Sequence, residues 1–318
     1  MKNGLARFEF YLERVEKLFA DAATQGDPAL WLYQNGARTP IFMLEGLSKL
    51  YGGLHNKKRF CKIETQFKLL EDALGAIDYY DGFAREFSGD KKVPAAVTAT
   101  VQAKTLEKAK TLNDLLVKKS WIGAKSTRIT KIRKKLRSAD WLDDKAEMKA
   151  IESFYRESIV KINAFAKQYE PGFTELEAQV HELRRKLRWL SIYPQALQGC
   201  IQLIESATND KALAKYLTPE ITGSPFNKMP DAGANRYLLM FGKDYFLSLS
   251  WMISELGKLK DQGLRIVALA EAGKASKSDS KDEAAILARA TDICRSFFAE
   301  KNLDRLVVGI VKAGRGTP

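Results

Sequence analysis

The sequence predicts an all-α protein. Apolar residues recur at helical spacing through most of the 318 residues, the alternation typical of strands is absent, and Pro and Gly gather in a few places. Hydrophobic residues at 45% and charged residues at 29% give a globular composition, long enough for one large or two medium domains. No apolar run approaches the ~18 residues of a membrane span.

A first helix is expected over about 5–24, where Leu5, Phe8, Leu12, Val15 and Phe19 share a face. Gly26-Asp27-Pro28 breaks the chain, with Asp27 as N-cap and Pro28 in the first turn of the next helical region. That region runs to about Tyr51, is disturbed by Gly36 and Pro40, and ends at Gly52-Gly53. A helix over 57–86 carries Ile63, Phe67, Leu70, Leu74 and Ile77 in register. After the turn at 90–94, basic helical segments reach Arg137, with Trp121, Ile122, Ile129, Ile132 and Leu136 as their apolar side. A helix over 140–168 buries Ile151, Phe154, Tyr155, Ile159 and Ile162. Another is expected from Thr174 to Ser206, bent at Pro194. Residues 207–243, with Pro219, Pro225, Pro230 and three glycines, read as an insertion with little regular structure. Helices over 244–273 and 282–301 flank a surface loop at 273–280, and 314–318 reads as a frayed tail.

The net charge is +13, and most of it is local. Between Lys104 and Arg137 twelve cations face only Glu107 and Asp114, an excess of +10. Such a surface suits a nucleic acid, an acidic membrane or another polyanion. Arg128, Lys131 and Lys135 stand at i, i+3 and i+7 and form one cationic row there.

A second cationic face lies at 180–190. Val180, Leu183, Leu187 and Leu190 form the buried stripe of a helix, and His181, Arg184, Arg185 and Arg188 share another face. No acid follows these cations at i+3 or i+4, and upstream only Glu177 is counted as close. The face is therefore read as poorly compensated: either solvated or waiting for an anion.

Catalytic chemistry finds little support. The two histidines, His55 and His181, exclude a multi-histidine metal site, and there is no Cys-x-x-Cys pair, phosphate-binding Gly-Lys loop or Gly-x-Ser-x-Gly elbow. Glu71, Asp72, Asp78 and Asp81 form the best acidic cluster, which would either hold Mg²⁺ or supply ordinary cap and surface acids. Trp121, Trp141 and Trp189 read as core anchors, not as platforms for bases. The first residues lack a signal-peptide pattern, and three scattered cysteines point to a reducing compartment, so a cytoplasmic location is expected.

An internal echo suggests two related helical bundles. Residues 69–77, with Leu74-Gly75, line up with 251–259, with Leu256-Gly257. Residues 181–189, His-Glu-Leu-Arg-Arg-Lys-Leu-Arg-Trp, resemble the second signature helix of the CHAD family, whose motif reads like His-x-Leu-Arg-Lys-x-x-Lys-Arg-Leu-Arg-Tyr. Residues 67–83 are similar to the family's first-repeat segment, and Leu256-Gly257-Lys258-Leu259-Lys260-Asp261 to its second-repeat counterpart. The likeness spans about 27–300 and is specific around 176–190.

The resemblance implies two four-helix bundles related by pseudo-twofold symmetry. It also implies non-enzymatic binding of inorganic polyphosphate in a basic groove, without a cofactor, and association with polyphosphate granules. It puts His181, Arg184, Arg185 and Arg188 in the groove. The chain departs from the pattern in the first repeat: the family's histidine is absent from 27–38, only Arg38 carries over, and the arginine after the first Leu-Gly is missing. Arg128, Lys131 and Lys135 are expected as a second wall, with Lys258 and Lys260 as further contacts. The domains are expected at 1–138 and 139–318. A helical nucleic-acid-binding protein is the alternative, and a metal-dependent phosphohydrolase the third reading.

Overall fold

The structure, a computed structural model, describes residues 2–123, 126–205, 211–272 and 279–313. The loop expected at 273–280 falls mostly outside these residues, as do the tail at 314–318 and Lys125. The protein is predominantly all-α, and its chain divides into two compact units, Met1–Leu142 with Val267–Ala275, and Asp143–Ile266 with Ser276–Pro318.

The first unit contains α1 (Asn3–Ala22), α2 (Pro28–Gln34), α3 (Arg38–Leu54), α4 (Lys57–Gly89), α5 (Ala95–Lys118) and α6 (Arg128–Arg137). Asp27 caps α2 by accepting from the Leu30 amide at 3.1 Å, with Pro28 in the first turn. Phe8, Tyr51, Phe60 and Trp141 meet ring to ring in the core, at centroid distances of 5.3–5.9 Å. Arg7 is buried among them and donates to the Tyr51 hydroxyl at 2.8 Å. Arg133 ties α6 to α1 through Glu9 at 2.7 Å and Glu16 at 3.1 Å.

The second unit contains α7 (Asp144–Lys167), a π-helix (Leu176–His181) continuing into α8 (Glu182–Ala196), α9 (Pro219–Thr222), α10 (Lys243–Glu271) and α11 (Asp279–Ala299). The last residues of α10, from Val267, group with the first unit. A small sheet joins β1 (Ile201–Ile204), β2 (Tyr237–Gly242) and β3 (Val307–Lys312) in that order. β1 runs parallel to β2, with Ile201 opposite Leu239, and β3 runs antiparallel to β2, with Lys312 opposite Tyr237.

The sheet corrects two expectations. The helix predicted to reach Ser206 stops at Ala196, although it does continue past Pro194. Gln198 at φ +53° and Gly199 at φ +83° turn the chain into β1. A Cβ on Gly199 would stand 1.8 Å from the Asp231 carbonyl oxygen, so the turn also needs the missing side chain. The stretch at 207–243 is likewise more regular than predicted. It holds the central strand β2, the short α9 and two 3₁₀ turns, Lys211–Tyr216 and Pro225–Asn227. β2 is buried from Leu238 onward on both faces, so Tyr-Leu-Leu-Met-Phe-Gly shows no alternation to read.

Candidate functional site

The face on α8 begins at the π-helix. Gln179 organises its start by accepting from the amides of Thr174 at 2.8 Å and Glu175 at 3.2 Å. Leu176 lies against Gly263 of α10, where a Cβ would come within 1.9 Å of its Cδ2. At the other end of the π-helix, His181 Nδ1 sits 2.8 Å from both oxygens of Glu177.

Arg184 is half-buried on this face. Its side chain lies over Gly257 of α10, with Nε 3.1 Å and Nη2 3.2 Å from where a Cβ would be. Nε also donates to the Ile253 carbonyl at 3.2 Å. Burial pulls the Arg184 pKa below the usual arginine value, and the charge of Asp261 opposes that shift. Arg184 is thus a packing residue as well as a cation.

The first unit repeats the seat. Arg38, at the start of α3, lies over Gly75 of α4, with Nη2 2.9 Å from where a Cβ would be. Its Nε donates to Glu71 at 2.9 Å, and Nη1 meets Asp78 at 2.7 Å. Glu71 stands four residues before Gly75, as Ile253 stands four before Gly257. The same backbone position therefore meets the arginine in both units, with a carboxylate in one and a main-chain carbonyl in the other. Counting three residues back from each arginine sets Asn35 where the other unit has His181. Asn35 bonds to its own helix, at the Trp31 carbonyl, 2.8 Å away.

The acidic cluster of the first unit is occupied by its own neighbours. Asp78 pairs with Arg38, Asp81 with Arg85 at 3.0 Å, and the Tyr33 hydroxyl donates to Asp81 at 2.8 Å. Burial, then the bond to Asp81, raises the Tyr33 pKa. Asp72 turns the other way to Lys68, at 2.6 Å. Among the described residues, no group of three or more His, Cys, Asp or Glu side chains could hold a metal ion.

The reading of the 181–188 face as poorly compensated is corrected. Glu182 pairs with Arg185 and, at 2.9 Å, with Lys186, three and four residues ahead. These pairs and the local cations hold Glu182 below the usual carboxylate pKa against its desolvation. Arg188 is half-buried on the same helix. On α10, Lys258 meets Glu255 at 2.8 Å and Glu220 at 3.3 Å, and Lys260 meets Asp261 at 3.0 Å. The cavity beside Lys258, about 620 Å³, has a mixed lining that includes Glu255, Asp282, Arg265 and Arg289.

α6 is different. Ile129, Ile132 and Leu136 face the core, and Arg133 is held by Glu9 and Glu16. Lys131, Lys134, Lys135 and Arg137 are exposed, and none has a carboxylate within ion-pairing distance among the described residues. Arg128 is half-buried and donates to the Lys119 carbonyl at 2.8 Å, closing the turn before the helix. The row of Arg128, Lys131 and Lys135 therefore splits into one structural member and two free ones.

Sequence reasoning passed over another basic group. Lys57, Lys58, Arg59 and Lys62 open α4 and, with Asn56 and Lys135 of α6, line a surface cavity of about 510 Å³. Four cations in six residues, with no acid before Glu64, was the available signal.

The chain matches no protein-family model, no curated protein and no solved structure.

Proposed function

We propose that the protein binds inorganic polyphosphate, or a similar polyanion, without transforming it chemically. The observation that carries this reading is the set of exposed cations on α6 that have no carboxylate partner among the described residues: Lys131, Lys134, Lys135 and Arg137. Cations at this spacing repel by a few tenths of a kcal/mol per pair, so an anion that bridges them is favoured. Each charge-assisted contact to a phosphate oxygen contributes about 1.5–3 kcal/mol. A linear polyphosphate offers closely spaced charge and no side-chain information, so a row of cations is sufficient recognition.

The paired seats of Arg38 on Gly75 and Arg184 on Gly257 support the resemblance to the CHAD family, with its pseudo-symmetric bundles and its place at polyphosphate granules. The α8 face contributes less than the motif alone suggests, because a phosphate at Arg185 must displace Glu182 and one at His181 must displace Glu177. Arg188 adds a further α8 cation, while Lys258 and Lys260 start from ion pairs of their own. The phosphohydrolase reading loses support because Asp78 and Asp81 are already committed to Arg38, Arg85 and Tyr33. Among the described residues no helix is long and apolar enough to cross a membrane.

The test is competition binding. Long-chain polyphosphate is expected to displace duplex DNA at equal charge concentration, and Lys131→Glu with Lys134→Glu to weaken polyphosphate binding about tenfold or more. Equal competition by DNA would instead favour the nucleic-acid reading. An affinity unchanged by the double substitution would remove α6 from the site.

A further inference from the structure

The cavity at the start of α4 combines three features that stand independently of each other. First, all five ionisable side chains in its lining are cations: Lys57, Lys58, Arg59 and Lys62 from α4, and Lys135 from α6. Among the described residues no carboxylate lines it, unlike the mixed cavity beside Lys258. Second, two separate helices build it and are tied together at its edge, where Arg59 Nη1 donates to the Ser138 carbonyl just after α6. Third, it sits on the positive end of a 33-residue helix whose first turn contains no acid. Asn56 at the N-cap position makes no capping bond, and the backbone N–H groups of Lys57 and Lys58 have no acceptor among the described residues.

The first and third features work against the ligand-free fold, and the second holds the two helices together around the cavity. Cations beside a helix N-terminus repel its partial charge, and cations beside one another repel further. Nothing in the packing requires the lysines, since Lys57, Lys58, Lys62 and Lys135 are exposed. An anion in the cavity would relieve both penalties at once, meeting ammonium groups, a guanidinium and two unused main-chain donors.

We infer that this cavity is a binding site for a compact oligophosphate of the pyrophosphate or tripolyphosphate class. A monophosphate brings about two negative charges, fewer than half of what five cations can neutralise, so the site fits a condensed phosphate better. Among the described residues no aromatic side chain lines the cavity, so none of them there is built to stack a nucleobase. The ligand class follows from the polyanion reading above, but the site does not depend on long-chain binding at α6. A free oligophosphate and the end of a longer chain present the same chemistry here.

The experiment is calorimetric titration of the full chain with sodium tripolyphosphate at low and moderate salt. Binding is expected to weaken with salt, and Lys57→Gln with Lys62→Gln to lower the affinity about tenfold or more. Lys149→Gln, an exposed lysine of α7, serves as the control and is expected to leave the affinity within about twofold. A thermal melt supplies the second readout: Lys57→Gln is expected to raise the midpoint of the ligand-free protein while reducing the shift that tripolyphosphate produces. A lysine with a merely structural role would lower that midpoint. No binding to the wild type, or equal binding to the double variant, overturns the site. ATP binding tighter than tripolyphosphate overturns the assignment of the ligand class. Parallel titrations of the two double variants separate the two proposals: long-chain affinity unchanged by Lys131→Glu with Lys134→Glu refutes only the α6 reading, and tripolyphosphate affinity unchanged by Lys57→Gln with Lys62→Gln refutes only this site.

Discussion

Glu45 gives the fold a defined sensitivity to pH. It lies on α3, is only 5% exposed, and its Oε2 has no hydrogen-bond partner among the described residues. Burial, then the charge of Glu71, pushes its pKa up to about 7, with Lys68 and Lys49 pulling the other way. For an acid raised in this way, the neutral form suits the native state and the unfolded chain ionises first. Stability is therefore complete below the unfolded value of 4.5 and is lost as pH rises through about 7. At about 1.36 kcal/mol per unit, the shift from 4.5 to about 7 sets an upper limit of about 3.4 kcal/mol. Glu45→Gln keeps the shape and removes the titration. Against wild type it is expected to gain about 2–3 kcal/mol between pH 4.5 and pH 8.5, read by urea unfolding at both values. A difference between the two proteins that does not change with pH would refute the argument.

Two further predictions test the glycines. Gly75→Ala is expected to cost about 1 kcal/mol in wild type, where the new Cβ displaces the Arg38 guanidinium, yet to gain about 0.5–1 kcal/mol in an Arg38→Ala background, where only helix propensity remains. Chemical unfolding of the four proteins in this cycle checks it, and the same sign in both backgrounds would refute the seat. Gly199→Ala is expected to cost more than about 2 kcal/mol, because its Cβ meets the Asp231 carbonyl at φ +83°, whereas Gly36→Ala, at φ +70° in open space, costs only about 1 kcal/mol. Thermal melts that order the two the other way would contradict the close approach at Gly199.

The helices were legible in the sequence because each buries one stripe, and Phe8, Leu12, Val15 and Phe19 in α1 are fully or almost fully buried. The sheet was not legible. β2 is apolar throughout, its partner β3 lies some 65 residues on, and a short apolar run without alternation does not declare a strand. The π-turn at 176–181 also leaves no periodic trace, and the approach of Leu176 to Gly263 beside it is a long-range contact. In the candidate site, the echo between Leu74-Gly75 and Leu256-Gly257 was readable, but its reason, an arginine lying on each glycine, was not. The pairing of Glu182 with Arg185 and Lys186 could have been read from spacing alone. Its acid stands three and four residues before the cations it meets, not after them.

The two arginine seats explain why a motif cannot be carried from one unit to the other. Both use a glycine to bring a guanidinium against a long helix, and both meet the residue four positions before that glycine. In the second unit that contact is a main-chain carbonyl, which satisfies a donor without cancelling the positive charge. In the first unit it is Glu71, joined by Asp78, so two carboxylates surround one guanidinium. An approaching phosphate would have to displace a carboxylate at Arg38 and would meet the charge of the second. The Coulomb terms there oppose binding, while the same terms at α6 and at the start of α4 favour it. Within the first unit, then, the seat shares the packing geometry of Arg184 without the open positive charge, and the exposed cations with no carboxylate partner among the described residues include those on α6 and Lys57, Lys58 and Lys62 in the first two turns of α4.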